Sequence, residues 1–228
     1  MQSVFQDTFK ALEAQAKRTP EILVGYSGGK DSRAVIDICR KVFPSVKAFF
    51  MYTVPGLSIN EEAMSYCKEK WGVEPAMLPD WRTIMDIKDG RWCDVSNVMD
   101  GFPDLDLKSA FAYAMDVTGT TIMATGMKDA DGLPRRQFFA NIRDGADPVW
   151  DHVIHPIRKW TKKDVLDYLK VNNIPLPDAE EGAVTSGVGL DHDSLCWLHD
   201  KYPDDFKKLL GWFPYAEAAI KRREFYGI

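Results

Sequence analysis

Apolar positions change their period repeatedly along the first half of the chain. Phe5, Phe9, Leu12 and Ala16 recur at the spacing of one helical stripe. The next apolar block, "EILVGY" (21–26), is short and continuous, the pattern of a strand buried on both faces. Helical spacing returns with Val35, Ile38, Cys39 and Val42, and "VKAFFMYT" (46–53) reads as a second buried strand. Ser58 and Glu61 have the spacing of a capping box, which predicts a third helix with Met64, Cys67 and Trp71 on its inner stripe. "VEPAML" predicts a third strand, and residues 107–117 a helix with Leu107, Phe111 and Ala114 facing inward. "TTIMATG" and "WDHVIHPI" follow as the fourth and fifth strands, and Thr161 caps a helix over "KKDVLDYLK".

Strands alternating with helices predict an α/β fold: a Rossmann-like parallel sheet with helices on both faces. Residues 1–176 form this unit, and 177–228 a helical C-terminal extension packed on it. The segments 88–104 and 173–193 read as long loops, of the kind that serve function. In such sheets ligands gather at the carboxyl ends of strands. Three segments fall there: "SGGKDS" (27–32), "TVPGLS" (53–58) and "TGMKDADG" (125–132).

Composition narrows the classes. A 228-residue chain buries about 70% of its unfolded surface without a disulfide or a metal. The net charge of −5 excludes a general nucleic-acid coat and leaves room only for a local contact. No run approaches a membrane span, and the N-terminus has no apolar signal core, so cytoplasmic residence is the default. Cys39, Cys67, Cys93 and Cys196 form no CxxC pair. Monomer and homodimer are both open.

The glycine loop carries the chemistry. A strand entering a Gly-rich turn that opens a helix makes an anion site, because unpaired backbone N–H groups and the positive helix end converge. Gly28 and Gly29 let the chain approach phosphate oxygens, Ser27 and Ser32 add hydroxyls, and Lys30 adds a charge. The spacing is not that of a Walker A loop, since Gly25 lies one residue too close to Gly29-Lys30 and Asp31 follows the lysine.

"SGGKDS" resembles the PP-loop of the ATP pyrophosphatase superfamily, also described as adenine nucleotide alpha hydrolase-like. That resemblance implies ATP, or a related adenine nucleotide, cleaved between the α and β phosphates. The product would be an adenylated second substrate, with pyrophosphate released. "HPIRKWTKKDVLDYLKVNNIPL" (155–176) is similar to a segment of the phosphoadenosine phosphosulfate (PAPS) reductase family, and "ATGMKDADGLPRR" (124–136) resembles its G-x-R-x-x-[DE] segment. The match implies catalytic roles for Lys30, Asp31, Lys128 and Arg135. It implies nucleotide binding by residues 27–32, Thr53, Gly126, Asp131 and Arg136. Lys128 stands where arginine is usual, which departs from a bidentate contact. Pyrophosphate as leaving group asks for Mg²⁺, for which Asp31 or Asp131 offers oxygen ligands.

The chain also departs from that family. It has no C-terminal Glu-Cys-Gly-Leu-His segment, so the thiolate of a sulfonucleotide reductase is missing unless Cys196 or an external thiol supplies it. The expectation is therefore an adenylating PP-loop enzyme in sulfur transfer or in nucleoside or DNA modification. The alternatives are a sulfonucleotide reductase and a nucleotide-binding module without turnover. His192, Cys196 and His199 have helical spacing for a mixed metal site, against which stands a polar helix face without a fourth ligand. Cys39 and Cys67 read as core residues. His152 and His155, three apart on one strand, point to opposite sides, one buried and one exposed.

Overall fold

The computed structural model describes residues 4–94, 101–141, 150–177 and 189–227. Strand β1 (Glu21–Gly25) is the centre of a five-stranded, all-parallel sheet. β2 (Ser45–Tyr52) and β4 (Met123–Ala124) flank it, while β3 (Ala76–Pro79) lies outside β2 and β5 (Val153–Ile154) outside β4. The order is therefore 3-2-1-4-5, and the direction of winding reverses between β1 and β4.

Ile22, Leu23 and Val24 are fully buried, which accounts for the unbroken apolar run in β1. Successive strand residues face opposite sides, and here both sides are covered. Ile22 and Val24 join a core built by helices α1 (Val4–Ala16), α2 (Lys30–Val42), α3 (Ser58–Trp71) and α7 (Lys162–Val171). Leu23 meets Phe111 and Ala114 of α5 (Leu107–Thr118) on the other face.

The apolar positions of the 155–176 segment are packing residues. Ile157, Trp160 and Val165 are fully buried, and Trp160 donates its indole N–H to Thr8 of α1 at 2.9 Å. Asp37 of α2 accepts from the Tyr168 hydroxyl (2.7 Å), the Trp71 indole (3.0 Å) and the Lys41 ammonium (2.7 Å), so one buried carboxylate ties α2 to α3 and α7. Thr161 caps α7 with a reciprocal box to Asp164.

Three expectations are corrected. The fourth and fifth strands shrink to two residues each. Short helices α4 (Trp81–Lys88) and α6 (Leu133–Asn141) appear where none was read. The Ser58–Glu61 capping box does not form, because α3 starts at Ser58 with Leu57 as its cap residue. The cap comes instead from Asp205, whose carboxylate accepts the N–H groups of Ser58 (2.9 Å) and Ile59 (3.1 Å) and the Ser58 hydroxyl (2.9 Å).

Asp205 belongs to α9 (Pro203–Leu210), which packs with α8 (His192–Lys201) and α10 (Glu217–Tyr226). Leu195, Leu198, Phe206, Leu209 and Phe213 form a second core there, sealed against Val54 and Leu57 of the β2–α3 connection. No helix among the described residues is long and apolar enough to cross a membrane.

Candidate functional site

A cavity of about 470 Å³ opens at the carboxyl ends of β1, β2 and β4, beside the point where the winding reverses. Ser27, Lys30, Asp31, Ser32, Thr53, Gly126, Asp131 and Arg135 all line it, so three separate segments of the chain meet there. Arg136 is exposed on α6 and does not line it. Phe49, Met51, Leu107 and Phe111 supply an apolar wall, and Asp80 and Arg82 stand at its β3 side.

The loop is rigid through its own bonds. Ser32 Oγ accepts from the Ser27 N–H (3.2 Å) and donates to the Gly29 carbonyl (2.9 Å). Gly28 has φ +76°, and a Cβ there would stand 2.9 Å from the Ala63 Cβ of α3, so only glycine fits. Gly29, with φ −71°, is ordinary extended backbone and serves as the cap residue of α2. The first-turn N–H groups of α2 have no intrahelical acceptor and open on the cavity with the positive end of the helix. Gly126 lets the chain leaving β4 press on that turn, since a Cβ there would meet Asp31 Cβ at 3.1 Å and Ser32 N at 3.3 Å.

The charges are arranged in a chain. Lys30 is buried, with Nζ 3.3 Å from Asp31 Oδ2. Lys128 is 2% exposed, and its Nζ reaches Asp31 Oδ1 at 2.7 Å and Asp131 Oδ1 at 2.8 Å. Asp131 Oδ2 also accepts the Lys128 backbone N–H at 2.9 Å. Lys128 is thus held between two carboxylates beneath the cavity, rather than extended into it. Arg135 lies against Met127 and Phe138 at the rim. Asp129 pairs outward with Arg158 (3.1 Å) and Lys159 (2.8 Å).

Two nearby groups stay neutral. Burial pushes the Tyr26 phenol up, and its hydroxyl donates to the Ala63 carbonyl at 3.1 Å. His155 Nδ1 lies 2.7 Å from the hydroxyl of Thr125, a cavity residue. Burial, with Arg158 and Arg135 close by, lowers the imidazole to about 4. His152 is exposed.

Sequence reasoning passed over Arg33. It is buried, donates to the Gly28 carbonyl (2.7 Å) and the Pro175 carbonyl (2.7 Å), and stacks 4.3 Å from the Tyr66 ring centroid. Asp80, Arg82 and Asn60 were also passed over. The strand-end rule applied to β3 leads to Asp80, whereas nothing in the sequence marks Arg33 or Asn60.

No cysteine is among the residues lining the cavity. Cys39 and Cys67 are core residues, with the Cys67 thiol pushed up to about 12 by burial. Burial also raises the thiols of Cys93 and Cys196. Cys196 Sγ lies 3.7 Å from His192 Nε2, but His199 pairs with Asp200 and packs on Phe206. Among the described residues no group of three His, Cys, Asp or Glu side chains is placed to hold a metal. Residues 95–100 and 178–188, within the two segments read as long loops, lie outside the described residues.

The five-stranded parallel sheet with its covering helices has the adenine nucleotide alpha hydrolase-like fold. No protein-family model matches the chain, and no curated protein matches it. Among solved structures it is similar to an NH3-dependent NAD synthetase from Campylobacter jejuni subsp. jejuni in complex with the nitrate ion. The TM-score is 0.53 at 14% identity, over 99% of this chain and 95% of that one. A phosphoadenylyl-sulfate (PAPS) reductase from Candida auris, in a phosphate complex, gives a TM-score of 0.49 at 15% identity, over 76% and 83% of the two chains. At 14% identity the likeness to the synthetase is one of fold.

Proposed function

We propose that the protein is an enzyme that binds ATP with its phosphates on residues 27–32 and cleaves it between the α and β phosphorus atoms. A nucleophile of the second substrate attacks the α-phosphorus. The bond to the α–β bridging oxygen breaks, its electron pair leaves with pyrophosphate, and the second substrate is adenylated. The observation that carries this reading is the convergence of Lys30, the first-turn N–H groups of α2 and Arg135 on one cavity of about 470 Å³, a volume that suits a nucleotide. Charge grows on the non-bridging oxygens as the nucleophile approaches, and fixed donors that need no reorganisation lower that barrier. Lys30 and the backbone bind the phosphates; Arg135 at the rim neutralises the leaving group. A solved structure of the same fold over 99% of this chain is an NAD synthetase, which supports an ATP-using enzyme. Sulfur transfer and nucleoside or DNA modification are the settings in which a second substrate is sought.

Mg²⁺ fits the residues present. Asp31 and Asp131 line the cavity with side chains 23% and 36% exposed, and a carboxylate oxygen that accepts one bond has a second lone pair for a cation. Those two residues would hold the ion, which when bound supplies positive charge to the departing pyrophosphate.

Incubation with ATP and Mg²⁺ is expected to give pyrophosphate, with AMP on the second substrate or free after hydrolysis. Lys30→Ala is expected to weaken ATP binding at least about 10-fold. An unchanged affinity defeats the reading. Tight binding with no product over hours makes the protein a nucleotide-binding module instead.

A further inference from the structure

The face of α3 turned toward the glycine loop is fixed by the close approach of Ala63 to Gly28, with 2.9 Å between the Ala63 Cβ and the position a Gly28 Cβ would take. Asn60 precedes Ala63 by three residues and so shares that face. It lines the same cavity as Ser27, Lys30 and Thr53. Asn60 is 6% exposed, and its Nδ2 is buried without an acceptor among the described residues. Buried amide donors are rarely left so, because the lost hydration is not recovered.

The backbone at the start of α3 cannot serve a ligand in its place. The N–H groups of Ser58 and Ile59 are taken by Asp205, and those of Asn60 and Glu61 by the Leu57 carbonyl at 3.1 and 3.2 Å. What this turn offers the cavity is the side-chain amide. Its acceptor must come from a molecule in the cavity, on the side where the glycine loop receives anions.

We propose that Asn60 is a binding residue for the phosphate chain of the ligand, its Nδ2–H donating to a non-bridging oxygen of a group seated on the glycine loop. The proposal rests on the nucleotide reading given above. It makes Asn60 a residue that senses the phosphates rather than the adenosine. It also gives the unmade bond a purpose: the donor is left unsatisfied in the free protein and satisfied on binding.

The test compares the unaltered protein with Asn60→Ala and Asn60→Asp by calorimetric titration of ATP, inorganic pyrophosphate and adenosine, with thermal melts of each ligand-free protein. Asn60→Ala is expected to weaken ATP and pyrophosphate roughly 10- to 100-fold and to leave adenosine within about twofold. Asn60→Asp keeps the shape but offers only acceptors, and is expected to weaken the two anions further. Ligand-free Asn60→Ala melts at the same temperature or higher, since it removes an unpaired buried donor. Equal weakening of adenosine and ATP overturns the proposal, as does a lower melting temperature with phosphate binding intact. If the unaltered protein binds ATP and Asn60→Ala binds it as tightly, this proposal alone falls. If the unaltered protein binds neither ATP nor pyrophosphate, the nucleotide reading falls and takes this one with it.

Discussion

Asp31 and Asp131 grip one ammonium between them, and Lys128 gives up nearly all of its hydration to be gripped. Removing that charge leaves two carboxylates facing each other. Breaking a fully buried pair costs about 3–5 kcal/mol, but partial exposure of both aspartates screens the loss, so Lys128→Met is expected to cost about 2 kcal/mol. Millimolar Mg²⁺ is expected to restore part of it, which urea unfolding with and without the ion measures. His155 makes a second prediction. Its ordinary value of 6.5 falls to about 4 in the folded protein, through burial first and then Arg158 and Arg135. A base that resists protonation when folded stabilises the protein above the unfolded value, and that contribution disappears as pH falls from 6.5 toward 4. The gap corresponds to about 3 kcal/mol. His155→Phe keeps a ring against Phe139, and the difference in its urea midpoint from the unaltered protein is expected to shrink over that window. At this scale the sequence named the glycine loop, Thr53, Gly126, Asp131 and Arg135 of the cavity, passed over Asn60, Asp80 and Arg82, and did not give the partners of the charges. "TGMKDADG" shows a lysine followed by two aspartates, and only the fold decides that Lys128 takes Asp131 while Asp129 turns outward.

Elements with strong burial were legible, and those without were not. β1 and β2 read clearly because covering both faces demands a continuous apolar run. α4 and α6 did not, since Thr83 and Phe139 are the only buried residues they contribute. α6 carries little helical stripe, and α4 is only eight residues long, too short for its stripe to stand out. The loop between β1 and α2 was legible from its glycines, although Gly28 alone needs one for its backbone. Gly28→Ala is expected to cost about 2–3 kcal/mol, part from the left-handed φ and part from Ala63. Pairing it with Ala63→Gly removes the contact and leaves the backbone strain. The double variant is then expected to be more stable than the sum of the single changes by about 1 kcal/mol, which a double-mutant cycle measures.

Across the whole molecule, alternation of strands and helices carried the parallel sheet and the crevice at its carboxyl ends, while the strand order and its reversal between β1 and β4 came only with the fold. What joins the C-terminal helices to the sheet was hidden: Asp205 caps a helix 147 residues away. That carboxylate is 1% exposed. Burial works to raise it, and the hydrogen bonds from Ser58 and Ile59 outweigh burial and lower it. Its contribution is therefore present above the ordinary carboxylate value of 3.8 and is lost as pH falls through the lower folded value. Asp205→Ala is expected to cost about 2–3 kcal/mol, a lost cap together with orphaned donors. Hydrogen exchange is expected to speed up first in α8, α9 and α10, as the second core separates from the first.

Arg33 braces the underside of the loop against Pro175, a residue 142 positions further on. During synthesis, a ribosome that has released β1 and α2 has not yet made the far anchor of that brace. Nascent chains ending before Pro175 are therefore expected to hold the glycine loop in a shape that ATP does not stabilise, and protection of this region from proteolysis by the nucleotide should begin only after that point.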